Sequence, residues 1–192
     1  RQLAKTKNTS PETLLNQLLE SVPAGSDGLM LQPYWSPSNG DGDETRGAII
    51  GFNELHTRAH IYRAMIEGIV YAMRECKEII EKRTGNKFAK IVISGGGSQS
   101  NEIMQISADI LGTPVYRSSI FEASSLGAAI ASAVGIGIYP NFKVAVSKMV
   151  RVGQIFEPND SNKKLYDQLY NTVFKKMYSS LQPAYVRIKE IL

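Results

Sequence analysis

Residues 88–101 read Phe-Ala-Lys-Ile-Val-Ile-Ser-Gly-Gly-Gly-Ser-Gln-Ser-Asn. The run Phe88 to Ile93 is short, continuous and apolar, the pattern of a buried strand. Ser94 to Ser100 cannot continue it, and the three glycines predict a loop. From Asn101 to Leu111 apolar residues return at helical spacing. Gly112 then stands where a helix ends in the left-handed conformation. Pro114 to Arg117 predicts a second strand, and Glu122 to Val134 a helix of small residues. Strand, glycine loop, helix, strand and helix make an α/β unit.

Working outward, Thr57 caps the longest predicted helix, which runs to about Arg83 and stops at Gly85 and Asn86. Ile61, Met65, Ile69, Met73, Cys76 and Ile80 form one apolar stripe along it, read as the core side. Cys76 on that stripe is expected to be inert core. Upstream, Ser10-Pro11-Glu12 is a helix start: a side-chain cap, proline at the first position and an acid near the positive end of the dipole. Leu29-Met30-Leu31 and Ala48 to Phe52 predict short strands. Between them, residues 33–47 are rich in turn formers, with an acidic group of Asp41, Asp43 and Glu44. Downstream, residues 141–151 predict a short amphipathic helix. Phe156-Glu157-Pro158 reads as an extended linker, and Lys163 to Leu181 as a final helix ending before Pro183. Its ring stripe, Tyr166, Tyr170, Phe174 and Tyr178, is expected to pack.

Composition narrows the function. With 22 Lys plus Arg against 18 Asp plus Glu, the charge is +4, too mild to argue for nucleic acid. An apolar share of 43% and a charged share of 21% are globular values. A single cysteine excludes a disulfide scaffold and a cysteine-rich zinc module. No run is long and apolar enough for a membrane span, and no signal peptide opens the sequence, so the cytoplasm is the expected compartment. The chain starts at Arg1 rather than Met, so a missing N-terminal part is expected.

The glycine loop carries the sharpest chemical signal. Glycines after a strand and before a helix let backbone amides approach a ligand, and the helix start favours an anion. Ser98, Ser100 and Asn101 could add side-chain hydrogen bonds; the alternative is a plain tight turn. No Lys-Ser or Lys-Thr pair closes the loop, so it is not a Walker A motif. Gly95-x-Gly97-x-x-Ser100 is a loose relative of the dinucleotide fingerprint, with Arg117 placed to meet an NADP 2′-phosphate. An NADP-binding oxidoreductase domain therefore stays open at this point. His56 and His60 have the four-residue spacing of a shared helix face but lack a third metal ligand. Glu67, amid the apolar stripe, is expected to pair with Arg63 one turn earlier. No nucleophile–base pair is apparent.

Several segments together resemble the FGGY carbohydrate kinases. They are Ile93 to Asn101 with Gln105, Ala108-Asp109-Ile110 and Pro114-Val115; Thr45-Arg46-Gly47, Gly51-Phe52, His56, Arg63-Ala64 and Glu67-Gly68; and Glu122-Ala123 with Leu126-Gly127-Ala128-Ala129. Pro33-Tyr34 and Phe156-x-Pro158 fit as well, so the likeness spans residues 28–170. The resemblance implies an α/β, actin-like ATPase (ribonuclease H-like) fold, with a mixed sheet and packed helices. It implies that residues 1–192 are a single partial domain, the C-terminal nucleotide-binding one, begun just past its first β-hairpin. The cofactor set would be ATP or ADP with Mg²⁺. The matching nucleotide residues are Gly95, Gly96, Gly97, Ser100 and Asn101, with no catalytic residue and no metal ligand in this chain. The general base and most contacts to a sugar or polyol would lie in the absent N-terminal domain. Ser94-Gly95-Gly96-Gly97-Ser98 leans toward xylulokinase-like members. Arg46 is expected to order the 33–47 loop by ion pairing. A non-catalytic actin-like interaction module is a further alternative. Helix 122–134 and the aromatic last helix could each supply a homodimer interface.

Overall fold

The computed structural model describes residues 2–35 and 46–192. The acidic group Asp41, Asp43 and Glu44 lies outside the described residues, as does most of the 33–47 loop. A short helix α1 (Gln2–Thr6) precedes α2 (Pro11–Glu20). The Ser10 hydroxyl accepts from the Thr13 amide at 3.1 Å, capping α2 as its sequence predicts. Strands β1 (Met30–Gln32) and β2 (Ala48–Ile50) pair antiparallel, Met30 opposite Ile50.

Helix α3 (Arg58–Thr84) is the longest element, capped by Thr57 and ended by Gly85 at φ 71°. Strand β3 (Ile91–Ile93) leads through a 3₁₀ turn at Gly96–Gln99 into α4 (Asn101–Leu111) and then β4 (Val115–Ser118). Helices α5 (Ala123–Gly135) and α6 (Phe142–Met149) follow, then β5 (Val152–Phe156). The second sheet has the order β3-β4-β5, with β3 parallel and β5 antiparallel to β4. Helix α7 (Asp160–Leu169), a π-helical turn at Tyr170–Phe174 and α8 (Lys175–Ile191) complete the chain.

The core sits where α2, α3, α4 and α7 meet the second sheet. Leu19, Tyr71, Met104, Ile110, Val115, Tyr166 and Tyr170 form its centre. A small-residue side of α3 makes the close approach to the first sheet. A methyl group at Gly68 would lie 2.3 Å from the Leu31 carbonyl oxygen, so only glycine allows this contact. Arg74 staples three helices: it donates to the Ile110 carbonyl at 2.9 Å, pairs with Asp167 at 2.6 Å and lies over the Tyr170 ring.

Four expectations need correction. The α3 stripe is not the core side: Met65, Ile69, Met73 and Ile80 are exposed, and so is Cys76. The buried side is Ala64, Glu67, Gly68, Val70 and Tyr71, because small residues let β1 come close and Tyr71 joins the ring cluster. Strand β3 spans only Ile91–Ile93, and Val92 is 46% exposed, because strand alternation turns it away from the core that Ile91 and Ile93 pack against. Phe156 ends a strand rather than opening a linker, since Val152–Phe156 pairs with β4. The last helical segment starts at Asp160, passes through the π turn and continues past Pro183. Asn159 caps its start, and beyond Pro183 the buried Tyr185 hydroxyl donates to Gln32 at 3.1 Å. That anchor holds a turn that proline alone would break. The rings of Tyr166, Tyr170 and Phe174 are buried in this chain's own core, as the expectation that the stripe packs has it. No helix among the described residues is long and apolar enough to cross a membrane.

Candidate nucleotide site

The three glycines of the loop differ in what they require. Gly95 has φ 93° and ψ −177°, a region essentially reserved for glycine. Gly96 and Gly97 have no positive φ. A methyl group at Gly96 would meet nothing within 4 Å, and one at Gly97 only the tip of Ile103 at 4.0 Å. Their missing side chains are therefore not demanded by the fold. They leave open space beside the start of α4.

The rest of the turn is tied down. The buried Ser98 donates its hydroxyl proton to the Gly95 carbonyl at 2.7 Å. Ser100 caps α4: its oxygen accepts from the Ile103 amide at 3.2 Å, while its proton goes to Glu102 at 2.9 Å. The Ser100 hydroxyl is thus occupied in shaping the helix start. Asn101 is exposed at the first position of α4, and its Oδ1 accepts from Arg117 at 2.6 Å. Asn101 borders a groove of about 310 Å³ whose other walls include Leu19, Glu20, Gln105 and Phe156.

Behind the groove, Asp109 organises α4 against α7. Its carboxylate accepts from Gln105 (2.8 Å), the Asn159 amide (2.8 Å) and Asn162 (2.9 Å). A second buried centre is Glu67. It accepts from the Gly25 amide, Ser26, Arg63 and Tyr166, at 3.0, 2.9, 2.8 and 2.7 Å. The expected Arg63 partner is present, and Arg63 also donates to the Leu19 and Val22 carbonyls. Burial and then the nearby Glu67 carboxylate push the Tyr166 hydroxyl well above the usual tyrosine range. The network holds a turn in which Gly25, Ser26, Asp27 and Gly28 all have positive φ. His60 reaches Asp27 in the same turn at 3.1 Å, with His56 set edge-to-face beside it. Among the described residues, no group of three His, Cys, Asp or Glu side chains could hold a metal ion.

Gly95, Gly96, Gly97, Ser100 and Asn101 therefore fall together around one helix start. Arg117, which the sequence places to meet an NADP 2′-phosphate, instead donates to Asn101 and Gln154 and lies over the Phe156 ring. Sequence reading did not connect Arg117 to Asn101. The usable signal was the strand pairing, which sets Ile93 opposite Arg117 and so brings β4's end to the glycine turn.

The second sheet and its helices thus form an α/β unit with a bare glycine turn at a helix start. The chain belongs to the FGGY family of carbohydrate kinases: the model of that family's C-terminal domain matches residues 1–136. It is 41% identical over 185 residues to an uncharacterized sugar kinase of Escherichia coli, YgcE, covering 91% of this chain and 35% of that protein. It is 36% identical over 175 residues to a xylulose kinase of Staphylococcus epidermidis, covering 90% and 34%. The crystal structure of xylulose kinase from Rhodospirillum rubrum superposes with a TM-score of 0.73 at 31% identity, over 91% of this chain and 35% of that one. The chain thus spans about 35% of the length of the curated relative it matches. The dinucleotide and interaction-module alternatives find no support among these relatives.

Proposed function

We propose that this chain is the adenine-nucleotide-binding part of a longer, ATP-dependent kinase that phosphorylates a sugar or polyol hydroxyl; that protein is called the intact kinase below. The single observation carrying the reading is the pair Gly96 and Gly97, which keep space open at the start of α4 although the fold would accept side chains there. The relatives named sugar kinase and xylulose kinase support the same class.

The residues present fit a nucleotide. Gly95 to Gly97 offer backbone approach for phosphate oxygens, and the helix start adds partial positive charge. Ser100 shapes that start by capping it. Asn101 offers a carboxamide to a base. Glu102, an acid in the first turn, makes the Asn101 side of the site better suited to a neutral base than to phosphate. When bound, MgATP supplies the phosphoryl group and the charge neutralisation that its transfer needs. This chain's part is positioning, the main requirement of phosphoryl transfer. A general base and most sugar or polyol contacts belong to the remainder of the intact kinase.

The test is phosphorylation of a panel of ketoses, aldoses and polyols. The intact kinase with MgATP is expected to phosphorylate at least one of them, while the 192-residue chain alone phosphorylates none. Turnover by the isolated chain would overturn this division of labour.

A further inference from the structure

Arg117 occupies an unusual position relative to the glycine turn. It lies opposite Ile93, the last residue of β3 before the turn, while its Nη2 donates to Asn101, the first residue of α4 after it. One residue therefore links the two ends of the loop, its backbone lying beside the end of β3 and its guanidinium reaching the start of α4. It is itself held from two sides: Nη1 donates to Gln154 of β5 at 3.3 Å, and the guanidinium carbon stands 5.1 Å from the centre of the Phe156 ring. Its Nε is shielded from water and has no partner among the described residues. The short 2.6 Å contact to Asn101 is the strongest of its polar links.

A guanidinium can only donate. The amide atom facing Arg117 must be oxygen, and a flipped Asn101 would set its NH₂ against N–H donors. The polarity of the carboxamide is thus fixed: Oδ1 held by Arg117 with a lone pair to spare, and Nδ2 free to donate. Such an edge complements the N6 amine and N7 of adenine. Guanine and hypoxanthine carry an O6 acceptor where adenine carries N6, and would set oxygen against Oδ1.

We propose that Arg117 is a positioning residue for base selection, locking the Asn101 amide in the orientation that accepts adenine and rejects 6-oxopurines. This rests on the nucleotide reading above and adds to it a residue outside the glycine loop. The experiment compares ATP with ITP as phosphoryl donor for the intact kinase and its R117M, R117K, N101A and R117M/N101A variants. The readout is the ratio of kcat/KM for the two donors, in which the fraction of folded enzyme cancels.

The wild type is expected to favour ATP on the order of ten- to a hundredfold, the range of one bidentate base contact. In R117M that ratio falls to within about threefold of the N101A value, and the double variant falls no further. R117K keeps a cationic donor without the planar fork and gives an intermediate ratio, which remains readable if R117M folds poorly. A wild-type ratio kept in both R117M and R117K while N101A loses it would overturn the role of Arg117 alone. N101A with unchanged ratio and unchanged KM for ATP would overturn the placement of the nucleotide at this loop. A wild type indifferent to the base would overturn the selection.

Discussion

The carboxylate of Glu67 accepts the hydroxyl proton of Tyr166 at 2.7 Å, linking residues 99 positions apart in the buried interior. The same tyrosine oxygen accepts from Arg63 at 3.1 Å. A helix in the middle of the chain is thereby fixed to one near its end, and both to the turn at Gly25 and Ser26.

Removing Glu67 should be costly for that reason. Glu67→Ala leaves the Arg63 guanidinium without its counter-charge, a loss of about 3–5 kcal/mol. Tyr166→Phe deletes only the hydroxyl and is expected to cost about 1–2 kcal/mol. Urea unfolding of the variants checks both, and equal costs would contradict the central place of the carboxylate.

The glycine loop separates fold from function residue by residue. Gly95→Ala forces a side chain into a glycine-only conformation and should cost about 1–3 kcal/mol. Gly96→Ala should change stability by no more than about 0.5 kcal/mol, since its methyl group meets nothing within 4 Å. If both substitutions destabilise alike by thermal denaturation, the space at Gly96 is not kept for a ligand.

Acid should loosen the α3–α7–α8 seam. For Asp167, burial works against ionisation, but hydrogen bonds from Lys163 and Arg74 outweigh it and hold the group below the usual carboxylate range. For Glu78, burial is likewise outweighed by Lys175 and Arg74. A carboxylate depressed in the folded state stabilises fully above its unfolded pKa and loses that contribution as pH falls through the folded one. The melting temperature should therefore hold from neutral pH down to the ordinary carboxylate range and then fall. Asp167→Asn should lower the neutral plateau and flatten the decline; an unaltered acid profile would contradict the assignment.

Alkali has the opposite sign. Burial, followed by the Glu67 carboxylate, raises the hydroxyls of Tyr71 and Tyr166 well above the ordinary tyrosine value near 10. A raised folded value means stability that is lost as pH climbs past the unfolded one. Tyrosinate absorbance from these two rings should appear only together with unfolding.

What was legible in the sequence follows from which forces are local. The cap at Ser10, the stop at Gly85 and the whole of α4 between Ser100 and Gly112 rest on neighbours within a few positions, and the structure keeps them. The candidate loop was legible for the same reason, because strand, glycines and helix are contiguous. The burial of α3 was not. Its large apolar side is outward, and the packed side is defined by Gly68 meeting Leu31 and Tyr71 meeting Tyr166 and Tyr170. Strand β5 was missed because Gly153 and Gln154 break its apolar pattern, and only pairing with β4 makes it a strand. The Arg117–Asn101 contact likewise depends on strand register.

The close approach of α3 to β1 gives a sharp stability test. Gly68→Ala would bring a methyl carbon within 2.3 Å of a backbone oxygen, which cannot step aside as a side-chain tip can. A loss of about 1–3 kcal/mol is expected in spite of alanine's better helix propensity. A stabilised variant in denaturant unfolding would show that α3 and β1 are not packed as described.

Calorimetric titration of the intact kinase with MgADP, alongside Gly96→Val and with NADP as the parallel ligand, tests the central claim most directly. The account predicts MgADP binding by the wild type, its loss in a Gly96→Val protein that still folds, and no binding of NADP. MgADP affinity unchanged by the valine, or NADP binding in its place, would contradict it.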